Sequence, residues 1–574
     1  MPPQRRGTTA ADLTRRIDVA MGRRPADLVI RNARILDLAT GALDPGDIAI
    51  ADGIIVGVYE RYEGRREIDG SGLTAVPGFV DAHVHIESSL VSPGEFDRTV
   101  LARGTTTAIA DPHEIANVLG GVGLRYVLDS TAGLAMNLRV QLPSCVPATA
   151  LETSGARLDA GDLLAFRSHP AVLGLAEMMD FPGVLKADAR VLDKLAAFAG
   201  GPIDGHAPLV RGRDLNAYAV AGICNDHEST SCEEAADKLR RGLRLFIREG
   251  SAAKDAATLA PLLTDATSPF VAFCTDDRSP LDIVEQGHID HCIRRAIAAG
   301  VPVLAAYRAA SWSAAQAFGL FDRGMIAPGY RADIVLVDDL AACAVSRVIV
   351  GGRPVDDALF AGRRLIAPVG RQSVRLDPVE PGLFAVPASG PTVPVIGLRP
   401  GQLVTDHLRA TLPFRRGHCQ SDTDQDVLAV AVLERHGAGG GIGRGFVRGF
   451  GLRGGALASS VGHDSHNVIV VGDSDADMAL AVNRVIALQG GFVAVCGGQV
   501  AAELALPIAG LMSDRPVEEV CRHLAALRAA GAALGCRMAE PFLALAFLAL
   551  PVIPHLKITD RGLVDVDRQA LIAA

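Results

Sequence analysis

The chain has 574 residues, 49% of them hydrophobic, 21% charged and only 4% aromatic, with 61 glycines and a formal net charge of −9. That length exceeds one ordinary domain, and the composition suits a large α/β enzyme packed on Ala, Val and Leu rather than on rings. The acidic balance leaves no electrostatic footprint for nucleic acid, and ten cysteines without a CxxC pair give neither a thiolate zinc site nor a disulfide framework.

The Arg-rich opening (Arg5, Arg6, Arg15, Arg16, Arg23, Arg24) lacks the apolar segment of a targeting peptide, and Asp12 and Asp18 interrupt it. Residues 11–22 read as an amphipathic helix with Leu13, Ile17 and Ala20 on one side. Short β segments follow at 27–30, 33–37 and 47–50, with turn signals at Thr40-Gly41 and Asp52-Gly53. A second set appears at 332–337 and 346–352. A small β-sandwich interrupted by a large insertion is the economical reading.

The insertion opens on Val76-Pro77-Gly78-Phe79-Val80-Asp81-Ala82-His83-Val84-His85, a buried strand entered through a Pro-Gly turn. Side chains two apart on a strand share a face, so His83 and His85 point the same way. Two imidazoles on one rigid strand are half of a metal site; the plainer reading is two histidines that happen to lie near a strand end. Strand-like segments recur at 105–110, 138–143, 172–177, 202–206, 221–227, 243–248 and 270–277, with helical patterns between them. Eight such units match a (β/α)8 barrel, in which the C-terminal strand ends build the active site.

The third region is Gly-rich at 437–455 and carries His463-Asp464-Ser465-His466-Asn467 before a strand at 468–471. Helical patterns follow at 476–486 and 517–530, and no glycine loop is followed by the Lys-Ser/Thr of a phosphate site. The richest apolar run, 542–554, is too short to span a membrane and ends in Pro554. The fold class is therefore α/β: a TIM-like (β/α)8 barrel inserted in a small β-sandwich, plus a C-terminal α/β domain. The expected bounds are 1–75 (N-terminal helix and first part of the sandwich), 76–322 (barrel), 323–395 (second part of the sandwich) and 396–574. A soluble, cytoplasmic protein is expected.

The expected strand ends gather His83, His85, Glu177, His206, His227 and Asp276 around one barrel mouth. Each alone has an ordinary explanation, such as a backbone-bonded His or a capping Asp. Together at one end of successive strands they amount to four imidazoles and two carboxylates, enough for two divalent cations with one carboxylate bridging. His113 and Glu114, after Asp111-Pro112, either meet a substrate or cap a helix. His463, Asp464, His466 and Asn467 either reach over the mouth as a lid or form a self-contained turn. Asp277 should point away from Asp276; His288 and His291 read as structural, Cys224 and Cys274 as packing, and Trp312 has no assigned role.

The Val76–His85 run, the interrupted sandwich and the ligand order resemble the amidohydrolase superfamily. Within it, 81–89, 111–117, Gly205-His206-Ala207-Pro208, 226–230, 274–278, 287–291 and 463–467 resemble the bacterial adenine deaminase family, nearly end to end. The resemblance implies hydrolytic loss of ammonia from C6 of a small-molecule purine, adenine, without nucleic-acid or membrane partners, in a chain that pairs as a homodimer. It implies Asp276 as the base that takes a proton from an activated water and passes it to the leaving amine. It also implies Glu177 as the bridge where some relatives carry a carboxylated lysine, and His113, Glu114, His463, Asp464 and His466 near the purine. Imidazole with carboxylate suits zinc, iron or manganese, and the resemblance favours manganese or iron. The rivals are a dihydroorotase- or hydantoinase-like cyclic-amide hydrolase, an N-acetylglucosamine-6-phosphate deacetylase, and a noncatalytic barrel relative. The H-x-E…P-C-x-x-C zinc deaminases are excluded by the missing cysteine pair.

Overall fold

The computed structural model describes residues 8–399 and 401–573, so Arg5 and Arg6 lie outside it. The first helix, α1 (Ala10–Ala20), starts in a capping box in which Thr9 and Asp12 satisfy each other's backbone N–H. The face it buries is not the expected one. Leu13 and Ile17 are 50% and 55% exposed, and Val19 is the buried residue. Arg15 pairs with Asp27 at 2.6 Å and with Asp52, and Arg16 pairs with Asp52 at 3.4 Å. These ion pairs turn the arginine side of the helix toward the sheet and the Leu13–Ile17 side outward.

The two β-segment sets join in one eight-stranded mixed sheet, in which Thr74–Pro77 pairs with both Leu28–Leu36 and Ile334–Val337. The segments expected at 27–30 and 33–37 are one strand, Leu28–Leu36. Its register shifts between Ile30 and Ala33, where Asn32 takes φ +58°. A bulge re-aims the strand without ending it.

The insertion supplies eight parallel strands: β1 (Phe79–Val84), β2 (Thr105–Ala110), β3 (Asn137–Leu142), β4 (Val172–Met178), β5 (Ile203–Gly205), β6 (Asn225–Asp226), β7 (Arg244–Arg248) and β8 (Val271–Cys274). β1 to β5 form one sheet and β6 to β8 another. The seam between β8 and β1 is closed by Asp276 N donating to His83 O at 2.9 Å and His85 N to Asp276 O at 3.0 Å. At the other seam Cys224 N donates to Ile203 O at 3.0 Å. Every residue of β1 and β2 is buried, as strands covered on both faces must be. Gly78 is required at the entry to β1, because a Cβ there would lie 2.2 Å from Thr106 Oγ1.

The C-terminal region is a second eight-stranded sheet, from β9 (Thr392–Leu398) and β10 (Thr405–Thr411) through β11 (Val427–Leu433), β12 (Ile442–Arg448), β13 (Gly455–Ser459), β14 (Val468–Gly472), β15 (Gly491–Cys496) and β16 (Gln499–Ala505). Alternation along β11 separates two cores. Val427, Ala429, Ala431 and Leu433 pack with Met478, Val482 and Val485 of the helix Asp475–Leu488. Leu428, Val430 and Val432 join a core that contains Leu545 and Leu548 and runs on into the barrel through Ile86, Phe96 and Ile283. That shared core seats the segment Pro541–Ala546 and the turn Phe547–Ala549 over the barrel mouth.

Candidate active site and metal centre

The strand ends bring all six side chains of the expected cluster together. His83, on β1, and His85, one residue past it and still extended, place their Nε2 atoms 3.1 Å apart. Glu177, near the end of β4, divides its carboxylate. Oε1 lies 3.4 Å from His83 Nε2 and 3.2 Å from His85 Nε2. Oε2 lies 2.6 Å from His206 Nδ1 and 3.3 Å from His227 Nε2. Asp276, two residues past β8, turns Oδ1 to within 3.1 Å of His85 Nε2 and 3.6 Å of His83 Nε2. One carboxylate oxygen therefore serves the β1 pair and the other serves the His206–His227 pair.

The donor chemistry fits divalent cations. His85 Nδ1 is engaged by Asp111 O at 2.9 Å, which fixes the tautomer and leaves the Nε2 lone pair turned inward. Lone pairs of four imidazoles and two acceptor-only carboxylates converge in a space closed to solvent, and such a set is satisfied by cations. Without a cation the ionisations compensate one another. Burial pulls His83 down, but Asp276 and Glu177 overcome it and hold the imidazole up at about 10. Burial pushes Glu177 up, but His206 and His227 hold it well below the ordinary carboxylate range. Burial likewise acts on Asp276, which Arg248, His83 and His85 keep ionised.

Around this centre lies a cavity lined by both domains. From the barrel come every member of the cluster except His83, with His113, Met179, Glu228, Arg248 and Asp277; from the C-terminal region come Leu403, His463, Asp464, Phe547, Leu550 and Ile553. His113 Nδ1 is 2.9 Å from Asp111 Oδ2, and its Nε2 is 3.7 Å from Asp464 Oδ1. Cys145 completes a buried triad with His113 and Asp464. His463 lies flat against Phe547, ring centroids 4.4 Å apart and 3° from parallel. Glu114 Oε1 lies 3.4 Å from His463 Nδ1, its Oε2 lies 4.0 Å from His466 Nε2, and the two imidazole rings are 5.6 Å apart between centroids.

Glu114 makes no helix cap; the backbone N–H of His113 is taken by Asp111 Oδ1 at 3.1 Å. The 463–467 turn is not self-contained either. Ser465 Oγ donates to Glu152 Oε2 at 2.7 Å, and Asn467 Nδ2 to Thr153 O at 2.9 Å, both in the barrel. His288 is fully buried against Thr105 Oγ1 at 3.0 Å and Thr275 Oγ1 at 3.3 Å, away from the cavity. Asp277 points from Asp276 toward Ser88, whose hydroxyl donates to it.

Sequence reasoning passed over Glu228, Arg248 and the apolar residues from 403 and 547–553. Two of these carried a signal: Glu228 directly follows His227, and Arg248 closes the seventh strand segment. Lys557, fully buried, donates to Leu403 O at 2.8 Å and Phe547 O at 3.0 Å, tying two cavity-lining residues together. No helix among the described residues is long and apolar enough to cross a membrane.

Comparison with known proteins gives the same architecture a family. The Amidohydrolase family profile matches residues 74–355, and the profile "Adenine deaminase C-terminal domain" matches 402–570. The adenine deaminase of Methylobacterium nodulans is 63% identical over 98% of this chain and 100% of its own length. That of Gluconobacter oxydans is 59% identical over 98% of this chain and 99% of its own. Among solved structures, an adenosine deaminase from Xanthomonas campestris with bound zinc overlaps at TM-score 0.42 and 18% identity, covering 58% of this chain and 93% of that one, an overlap that adds no weight. Membership of the amidohydrolase superfamily implies a divalent metal, and the donor set described above accommodates one. The chain belongs to the adenine deaminase family.

Proposed function

We propose that the protein hydrolyses adenine to hypoxanthine and ammonia, with His83, His85, Glu177, His206, His227 and Asp276 holding two divalent ions, manganese or iron before zinc. The observation that carries the two-ion reading is the split carboxylate of Glu177, with one oxygen toward each imidazole pair. Ions bound there supply Lewis-acid activation of water at neutral pH. The protein's own part is proton handling, orientation and exclusion of solvent. Asp276 takes the proton released as water adds to C6 and delivers it to the amino group. The C6–N bond then breaks with ammonia, not amide anion, as leaving group.

His113, His463 and Asp464 line the space left for the purine edge, with Glu114 and His466 supporting them. The flat His463–Phe547 pair and the aliphatic Leu403, Leu550 and Ile553 offer walls suited to a planar, weakly polar base. The homodimer and the cytoplasmic location expected from the sequence belong to the same reading; light scattering checks the first.

The test is ammonia release by the manganese-loaded protein from adenine, alongside ring opening of dihydroorotate and hydantoin, which yields a ureido acid without ammonia and is followed by chromatography of the products. Turnover of adenine alone is expected. Turnover of either cyclic amide in place of adenine favours the cyclic-amide alternative and overturns the proposal.

A further inference from the structure

β7 ends on Arg248, whose guanidinium is buried beside the six-residue cluster. Nη1 donates to both Asp276 Oδ2 and Glu228 Oε1, and Nη2 donates to Glu228 Oε2 at 3.2 Å. Nε faces Asp255 Oδ2 at 3.9 Å, and neither of those atoms has a hydrogen-bond partner. One guanidinium thus spans two carboxylates that line the same cavity.

The backbone of Asp276 is already fixed. It takes φ +55°, and both its N–H and its C=O bond to β1 and its extension. That leaves the carboxylate torsion, which has broad wells and would let either oxygen face the imidazoles. Arg248 occupies Oδ2, so Oδ1 is the oxygen presented to His83 and His85. A planar fork can hold two carboxylate planes at once, whereas an ammonium supplies charge without orientation.

We propose that Arg248 is a positioning residue: it sets the plane of the Asp276 carboxylate for proton transfer and locks it to Glu228, which borders the purine space. The inference rests on the reading of Asp276 as the proton carrier.

The test uses the metal-loaded full chain and two variants. Arg248→Lys keeps the charge and loses the fork; Arg248→Gly leaves room for added guanidinium ion. Both are expected to retain the wild-type metal content and a melting temperature within a few degrees. Misplacement of a reacting group predicts kcat down about 100-fold in Arg248→Lys with KM changed less than about threefold. Millimolar guanidinium should restore about tenfold of the lost kcat in Arg248→Gly and leave the wild type unchanged. In a crystal structure of Arg248→Lys, the Asp276 carboxylate should be rotated, a readout that needs no substrate. Wild-type kcat in Arg248→Lys, an unrotated Asp276, a loss explained by missing metal, or no rescue by guanidinium overturns the proposal. Failure of the adenine reading shows separately, as a wild type that releases no ammonia from adenine while the Asp276 rotation still reports on Arg248.

Discussion

The floor and the roof of the cavity are built from opposite materials. The floor is the barrel mouth, where imidazoles, carboxylates and one guanidinium crowd within hydrogen-bonding range on rigid strand ends. The roof is Leu403, Phe547, Leu550 and Ile553, carried by a domain with its own sheet and fastened through a core shared with the barrel. Only His463 and Asp464 bring charge from the roof side. Burial pulls the His463 imidazole down, but Glu114 and Asp277 hold it up at about 9, so it stands as a cation facing barrel carboxylates. The division separates two tasks in the proposed reaction: proton transfer falls to the floor, while the roof excludes water and shapes the space, which strengthens every interaction below it.

If that division is right, damage to the floor should fall on kcat and damage to the roof on KM. The largest expected effect is Asp276→Asn, which removes the proton acceptor and should lower kcat about a thousandfold in a steady-state ammonia assay. Phe547→Leu keeps the roof apolar but loses the stack on His463. It should raise KM for adenine about fivefold with kcat little changed, as the worth of one aromatic pair suggests. A Phe547→Leu variant with normal KM and depressed kcat would erase the distinction.

The smallest effect concerns what anchors the roof. Burial lowers the Lys557 ammonium to about 7, and its two backbone acceptors can be served by a neutral amine. Between about pH 7 and the ordinary lysine value of 10.5 the unfolded chain binds more protons than the folded one, so this group's contribution to stability grows as pH rises and is lost as pH falls toward 7. Melting curves from pH 7 to 10 should therefore rise more steeply for the wild type than for Lys557→Met. Parallel curves would mean that Lys557 is charged in the fold.

Much of the floor was legible in the sequence, because strand periodicity and the barrel rule together say where a side chain at a strand end must point. His83 and His85 share a face by alternation alone, and Glu177, His206, His227 and Asp276 follow from strand order. The roof was illegible for a physical reason. Residues 542–554 form an apolar run, and nothing local distinguishes a run that fills its own domain's core from one that covers a neighbour's cavity. Arg248 was hidden because an inward arginine gains meaning only from two carboxylates distant in sequence. The helix face at Leu13 and Ile17 went wrong because apolar spacing was weighed without the Arg15 and Arg16 ion pairs, which decided the orientation.

Glu177 is where the floor's design is most exposed to test, since each of its oxygens faces a different imidazole pair. Metal content per chain, measured on the purified wild type and on Glu177→Gln after identical loading with manganese, is the direct measurement. The account predicts two equivalents in the wild type and at most one in the variant. A single equivalent in the wild type, or two retained by Glu177→Gln, would contradict it.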